Sequence, residues 1–173
     1  MLIPLTAATS EPVTVAEAKA HLRLTHASDD GLIGRQIAAA REYVELTTGR
    51  ALATATYRLV QSQFDNPVEL PLWPVSAVSS VSYVDASNVR IVLAAPSYLF
   101  DPDRRTLSAV SAWPYGTSVN IEFATAPALI PEGLKSAILL RVQAEYEANA
   151  EDAVKLRDAA HALAWPFRLN LGV

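Results

Sequence analysis

Three histidines and three carboxylate pairs are the groups in this sequence that could do acid–base or metal chemistry. The histidines are His21, His26 and His161. None has a second histidine or a carboxylate in a metal-binding spacing such as H-E-x-x-H, where two imidazoles share one helix face. His161 stands one helical turn after Arg157 and near Asp158, the pattern of a solvated helix face. The carboxylate pairs are Asp29/Asp30, Asp101/Asp103 and Glu151/Asp152. A general acid–base pair needs a cleft that splits the two pKa values. These pairs fall instead at a helix start, a turn and a second helix start, where acids serve local structure. There is no G-x-S-x-G elbow, no G-x-x-x-x-G-K-[ST] loop and no G-x-G-x-x-G turn. Gly31 and Gly34 are only two glycines, and the adjacent Asp29 and Asp30 repel phosphate. The chain has no cysteine, so disulfides, thiol catalysis and Cys-ligated zinc are excluded. Arg104-Arg105 is the one adjacent basic pair and reads as decoration of a turn. No catalytic, cofactor-binding or metal-binding residue is therefore expected.

What positions these residues is a chain with a sizeable core. At 173 residues the expectation is one domain, and 51% hydrophobic against 18% charged residues excludes a natively disordered chain. A net charge of −4 argues against a freestanding nucleic-acid binder. No apolar run approaches the ~18 residues needed to cross a bilayer. Met1-Leu2-Ile3-Pro4 lacks the basic and long apolar regions of a signal peptide.

The elements run helices, strands, helices. Thr14-Val15-Ala16-Glu17 is a capping box that starts a first helix, reaching about Arg23. Ser28 or Asp29 caps a second helix, along which Ile33, Ile37, Ala40, Val44 and Thr47 recur at helical spacing, until Gly49 ends it. From about Thr54 the period changes from 3.6 to 2. Tyr57 to Phe64 is strand-like. Val78–Val84 and Val89–Leu93 flank a hairpin loop at Asp85-Ala86-Ser87-Asn88. Tyr98-Leu99-Phe100 leads into the turn Asp101-Pro102-Asp103-Arg104. Val119-Asn120-Ile121-Glu122-Phe123 alternates cleanly. Pro131 opens a third helix to about Glu147. A fourth runs from about Glu151 to Ala164, and Pro166 stops it. The expected fold class is α+β: a helical frame of two N-terminal and two C-terminal helices, with an antiparallel β segment inserted at about residues 54–126.

Two segments carry more apolar surface than one buried face needs. In the third helix Ile138, Leu139, Val142 and Tyr146 form one apolar arc, and Ala137, Leu140 and Ala144 form another. This suits a helix held between two layers, or one packed on its own core and on a neighbouring subunit. The C-terminal run Trp165-Pro166-Phe167-Arg168-Leu169-Asn170-Leu171 must also dock, either on its own domain or on a partner.

These pieces carry a resemblance. Residues Glu11-Pro12-Val13-Thr14-Val15-Ala16-Glu17-Ala18-Lys19-Ala20-His21-Leu22-Arg23 resemble the opening of the head–tail connector (adaptor) proteins of long-tailed bacteriophages. The acidic break Ser28-Asp29-Asp30 follows, then a second helix through Tyr43 to Gly49-Arg50-Ala51-Leu52. Leu70-Pro71-Leu72, Pro74-Val75, Val78-Ser79-Ser80-Val81, Val119–Phe123, Ile130-Pro131, Leu134–Leu140 and Trp165-Pro166-Phe167-Arg168 resemble the later marks in order. The β-containing branch of the family fits better than the all-helical one. Gene transfer agents, which are phage-like particles, use the same kind of adaptor. Tyr146-Glu147-Ala148-Asn149 matches the family's aromatic-rich helix end only in part.

The resemblance implies a structural virion protein and no enzyme, with residues 1–173 as a single connector domain and no cofactor. It implies a homo-oligomeric ring of about a dozen subunits under the portal protein. Such a ring extends the DNA channel and offers a surface to a stopper or tail-completion protein, with DNA as non-specific cargo and no membrane contact. The place implied is the head–tail junction of a virion or phage-like particle, assembled in the host cytoplasm. Helices two and three are expected to make the subunit contacts through Tyr43, Ala137, Leu140, Arg141, Ala144 and Glu145. Trp165, Phe167, Arg168 and Leu169 are expected to touch the portal. A head-completion stopper or tail terminator is the main alternative, although those proteins are more often β-rich throughout. An α+β enzyme, marked by a buried His–carboxylate pair in a pocket, is the remote one.

Overall fold

The structure, a computed structural model, describes residues 1–147 and 149–169. The chain divides into two compact units. One is built on strands, from Met1–Thr9 and Ala53–Pro127, and the other on helices, from Ser10–Leu52 and the chain beyond Ala128. Ala148 of the partly matching helix end, and Asn170 and Leu171 of the terminal run, lie outside the described residues.

The helical unit holds α1 (Val15–Leu22), α2 (Asp30–Thr48), α3 (Glu132–Tyr146) and α4 (Ala150–Ala164). The capping box forms as the sequence predicts. The Thr14 hydroxyl accepts from the Glu17 N–H at 3.1 Å, and Glu17 Oε2 accepts from the Thr14 N–H at 2.7 Å. These bonds hold the Glu17 carboxyl below its ordinary pKa, the Thr14 backbone N–H contributing most. Asp29 stands at the N-cap of α2, yet its side chain makes no capping bond and turns to another partner. Gly49 ends α2 at φ 72°, a left-handed conformation that costs a residue without a Cβ little. Asn149 caps α4, accepting from the Glu151 N–H at 2.9 Å. Trp165–Phe167 then form a single 3₁₀ turn.

The core of this unit joins all four helices. Ile33, Ile37 and Val44 of α2 meet Leu134, Ala137, Ile138 and Val142 of α3, with Ala18 of α1 and Ala160 and Ala164 of α4. The second arc of α3 has its explanation here. The helix touches α1, α2 and α4, so it lies between layers within its own unit. Ala137 and Ala144 are buried, while Leu139 and Leu140 are half-buried against the core.

The β unit holds β1 (Leu2–Pro4), β2 (Ala55–Gln61), β3 (Val68–Glu69), β4 (Val75–Val84), β5 (Arg90–Val92), β6 (Tyr98–Asp101), β7 (Thr106–Ala109) and β8 (Thr117–Thr125). An antiparallel five-stranded sheet runs β1-β2-β8-β4-β5, and a second sheet runs β3-β7-β6. The alternation read at Val119–Phe123 is the central strand of the larger sheet. Val119, Ile121 and Phe123 are fully buried, while Asn120 and Glu122 face away. Phe123 stands opposite Tyr57 with ring centroids 5.8 Å apart. On the other face Arg58 pairs with its register partner Glu122 at 2.6 Å. The expected hairpin closes at Asp85, whose carboxylate accepts from the Ser87 and Val89 N–H groups at 2.9 Å. Two X–Pro bonds, Asn66–Pro67 and Trp73–Pro74, are cis.

Candidate assembly surface

The groups that could do chemistry are used structurally. His21 Nε2 lies 2.9 Å from Gln143 Oε1, and His26 Nδ1 lies 2.7 Å from the Ser28 hydroxyl. His161 is not on a solvated face. It is half-buried, with Nδ1 3.3 Å from the Tyr43 hydroxyl and its ring 5.5 Å from that of Trp165. Trp165 stands one helical turn after His161, a spacing the sequence shows, but Tyr43 is 118 positions away, so helical spacing could not reveal it. Among the described residues no cluster of His, Asp and Glu could hold a metal ion. Among the described residues no helix is long and apolar enough to cross a membrane.

Two of the carboxylate pairs act locally, and Asp29/Asp30 instead bonds to other helices. Asp101 Oδ1 accepts from the Asp103 and Arg104 N–H groups at 3.0 Å, closing the predicted turn. Glu151 and Asp152 both bind Lys155, and the Glu151 bond chiefly raises the pKa of that ammonium. Asp29 Oδ2 accepts from the Tyr146 hydroxyl at 2.6 Å, which holds Asp29 below and Tyr146 above the ordinary value. Of the basic pair, Arg104 is exposed. Arg105 departs from the expectation of a decorated turn: it is buried at φ 60°, with Nη1 3.4 Å from the Leu70 carbonyl.

The residues expected at a subunit interface separate into two groups. Ala137 is 0% and Ala144 2% exposed within the helical unit. A side chain with no free surface has none to give a second copy, so these two belong to the unit's own core. Tyr43, Leu140 and Arg141 are half-buried and Glu145 is exposed. The Arg141 guanidinium lies over the Tyr43 ring, 3.9 Å from its centroid, a cation–π contact. Glu145 pairs with Arg157 of α4 at 3.0 Å.

Arg141 and Glu145 also line a groove between α2 and α3 of about 220 Å³, whose other walls are Arg35, Gln36, Ala39 and Ala40. Two of its polar atoms, the acceptor Gln36 Oε1 and the donor Arg141 Nε, are shielded from solvent and have no hydrogen-bond partner among the described residues. In the sequence Arg35 reads only as a polar residue outside the apolar stripe of α2, and Gln36 carries no signal. Their spacing to Ala39 and Ala40 shows that they share a face of α2, but nothing in it shows that Arg141 stands opposite.

The residues expected to touch the portal divide in the same way. Phe167 packs against the helical core and covers Gly133, where a Cβ would come within 2.8 Å of its ring. The Phe167 carbonyl accepts from Arg50 Nε, and the Leu169 N–H donates to the Thr48 carbonyl, each at 2.7 Å. This part of the terminal run is docked on its own unit. Trp165 remains 53% exposed, and Arg168, also exposed, lies 5.0 Å from its ring centroid.

Comparison with known proteins bears on what these surfaces serve. Residues 12–89 match the family described as phage gp6-like head–tail connector proteins. No curated protein sequence matches the chain. Three solved structures resemble it over 100% of its length and 97% of theirs. One is from the virion of a native gene transfer agent particle (25% identity, TM-score 0.77). The second is from the neck of an empty gene transfer agent particle computed with C6 symmetry (25%, 0.75). The third is from the neck of a native particle computed with C12 symmetry (26%, 0.73). The resemblance read from the sequence is thus borne out, and so are the expected fold class and the structural head–tail connector role. The matched proteins are virion components, and those of the neck sit in cyclically symmetric assemblies.

Proposed function

We propose that this chain works as a head–tail connector ring of about twelve copies, seated under the portal of a phage or gene transfer agent particle. It acts as one connector domain over residues 1–173. One observation carries the reading: a fold match over the whole chain to a particle neck of C12 symmetry. The ring extends the DNA channel and offers its far face to a stopper or tail-completion protein. DNA passes as non-specific cargo, and a net charge of −4 per copy suits a conduit that does not grip it. The work is done by shape and association, without catalysis. Assembly takes place in the host cytoplasm, before or as the tail is joined.

Within this reading, Tyr43, Leu140, Arg141 and Glu145 form part of the contact between neighbouring copies. Trp165 and Arg168 are the groups free to meet the portal, while Phe167 and Leu169 fix the segment that presents them. The test is electron microscopy of the purified full chain mixed with tailless heads that carry the cognate portal. Annular density added beneath the portal is the expected result. Heads that stay unchanged at saturating protein overturn the proposal.

A further inference from the structure

We infer that the groove between α2 and α3 receives a carboxylate side chain from a second copy of this chain. The inference rests on the ring reading and names the chemistry of its lateral contact.

Two guanidinium groups line the groove. Among the described residues neither Arg35 nor Arg141 has a carboxylate within ion-pair distance, whereas neighbouring Arg41 and Arg157 each have one. Arg141 is not free to search for a partner. The Tyr43 ring beneath its guanidinium fixes it, and its Nε is shielded from water without an acceptor. Leaving such a donor unpaired is costly, so a native structure ordinarily supplies an acceptor from somewhere. Gln36 contributes a shielded amide, and a half-turn of that amide presents Nε2 to an incoming anion. Glu145 at the rim is already paired with Arg157, so it does not fill the groove. The small side chains of Ala39 and Ala40 leave room for close approach.

Size and charge select the occupant. A groove of about 220 Å³ is smaller than the roughly 300–1,000 Å³ of ordinary small-molecule pockets, and suits a single side chain. The chain carries 18 acidic against 14 basic residues, so each copy has carboxylates to spare. Exposed Glu69, Asp103 and Asp158 have no ion-pair partner among the described residues. In a cyclic ring every contact is heterologous, so a donor groove on one copy meets a different patch on the next. A planar guanidinium is the group best shaped to take a carboxylate, and the Arg35 and Arg141 head groups that line the groove would offer it their terminal N–H groups.

The experiment uses the full chain with portal-bearing tailless heads and counts rings by electron microscopy. Wild type is compared with Arg35→Glu, Arg141→Glu and Ala39→Glu. Ala39 is exposed on α2, so Ala39→Glu keeps the fold, as its melting curve would verify, while placing a carboxylate in the groove from within. Each variant is expected to lower ring occupancy roughly tenfold or more. Adding Glu69→Lys, Asp103→Lys or Asp158→Lys to Arg141→Glu should restore rings for the one acid that docks. Full occupancy by both Ala39→Glu and Arg35→Glu overturns the groove while leaving the ring intact. Absence of rings from wild type overturns the ring reading itself.

Discussion

The Tyr146 hydroxyl donates to Asp29 Oδ2 at 2.6 Å, tying the end of α3 to the start of α2. The bond lowers the Asp29 pKa, with smaller help from Ser28, His26 and Lys19 against partial desolvation. The same bond raises the Tyr146 pKa. A lowered carboxyl stabilises the fold above its unfolded pKa of ~3.9, and this is lost as pH falls through the folded value. A raised phenol works in the opposite sense, its contribution complete below ~10 and lost above. Asp29→Asn should therefore melt below wild type at pH 7, and the gap should close as pH falls from 5 to 2. A gap that stays constant over that range would exclude the ionised bond as its source.

Arg41 and Glu45 form a buried ion pair on α2 at 2.7 Å, with side chains 6% and 4% exposed. Glu45 also accepts from the Leu52 N–H at 2.7 Å, and Arg41 also binds Glu11 at 2.8 Å. Glu45→Ala leaves a buried cation short of a partner and a backbone donor without an acceptor. The expected loss is about 3–5 kcal/mol in urea denaturation. Glu45→Gln should lose less, because an amide oxygen still accepts from Leu52.

Each arc of α3 mixes buried and half-buried side chains, and the cost of truncating one should follow its burial. Ile138 is fully buried, so Ile138→Ala should cost about 2–5 kcal/mol. Leu140, half-buried, should cost less when cut to Ala in the isolated protein. Equal losses for both would contradict the layering described above.

Truncation after Ala164 is a poor probe of portal binding, because Phe167 packs on the core and would be lost too. Trp165→Ala and Arg168→Ala alter side chains that keep exposed surface. Arg168→Ala should leave the melting temperature within about 1–2 °C of wild type, as surface substitutions do, whereas Trp165→Ala also removes the ring beside His161 and should melt lower. Both should also weaken retention on portal-bearing heads in a sedimentation assay. Undiminished retention would remove these residues from the portal contact.

The helices and the central strand were legible because capping and periodicity are local. Thr14 and Glu17 sit three apart, Gly49 punctuates α2, and Val119, Ile121 and Phe123 alternate with polar neighbours. What escaped was set by distance in sequence. β1 pairs Leu2 with Leu59, and a three-residue edge strand ending in proline carries no periodic signal. The His161 contact with Tyr43 spans 118 positions, and Arg141 reaches the same ring from a third helix. Helical periodicity could say that α3 had two apolar faces. It could not say that α1, α2 and α4 would use both, nor that a groove would open where Ala39 and Ala40 face Arg141.

Both units are discontinuous in the chain, and this sets an order of events during synthesis. Every strand has left the ribosome by Pro127, when the sheets have all their members. At that moment α1 and α2 have emerged, but Leu134, Ile138 and Val142, which cover Ile33, Ile37 and Val44, are still inside the ribosome. The nascent protein thus passes through an interval with a finished sheet and an uncovered helix pair, whose apolar stripe is open to any hydrophobic surface nearby. The first helices translated are among the last parts of the molecule to be secured.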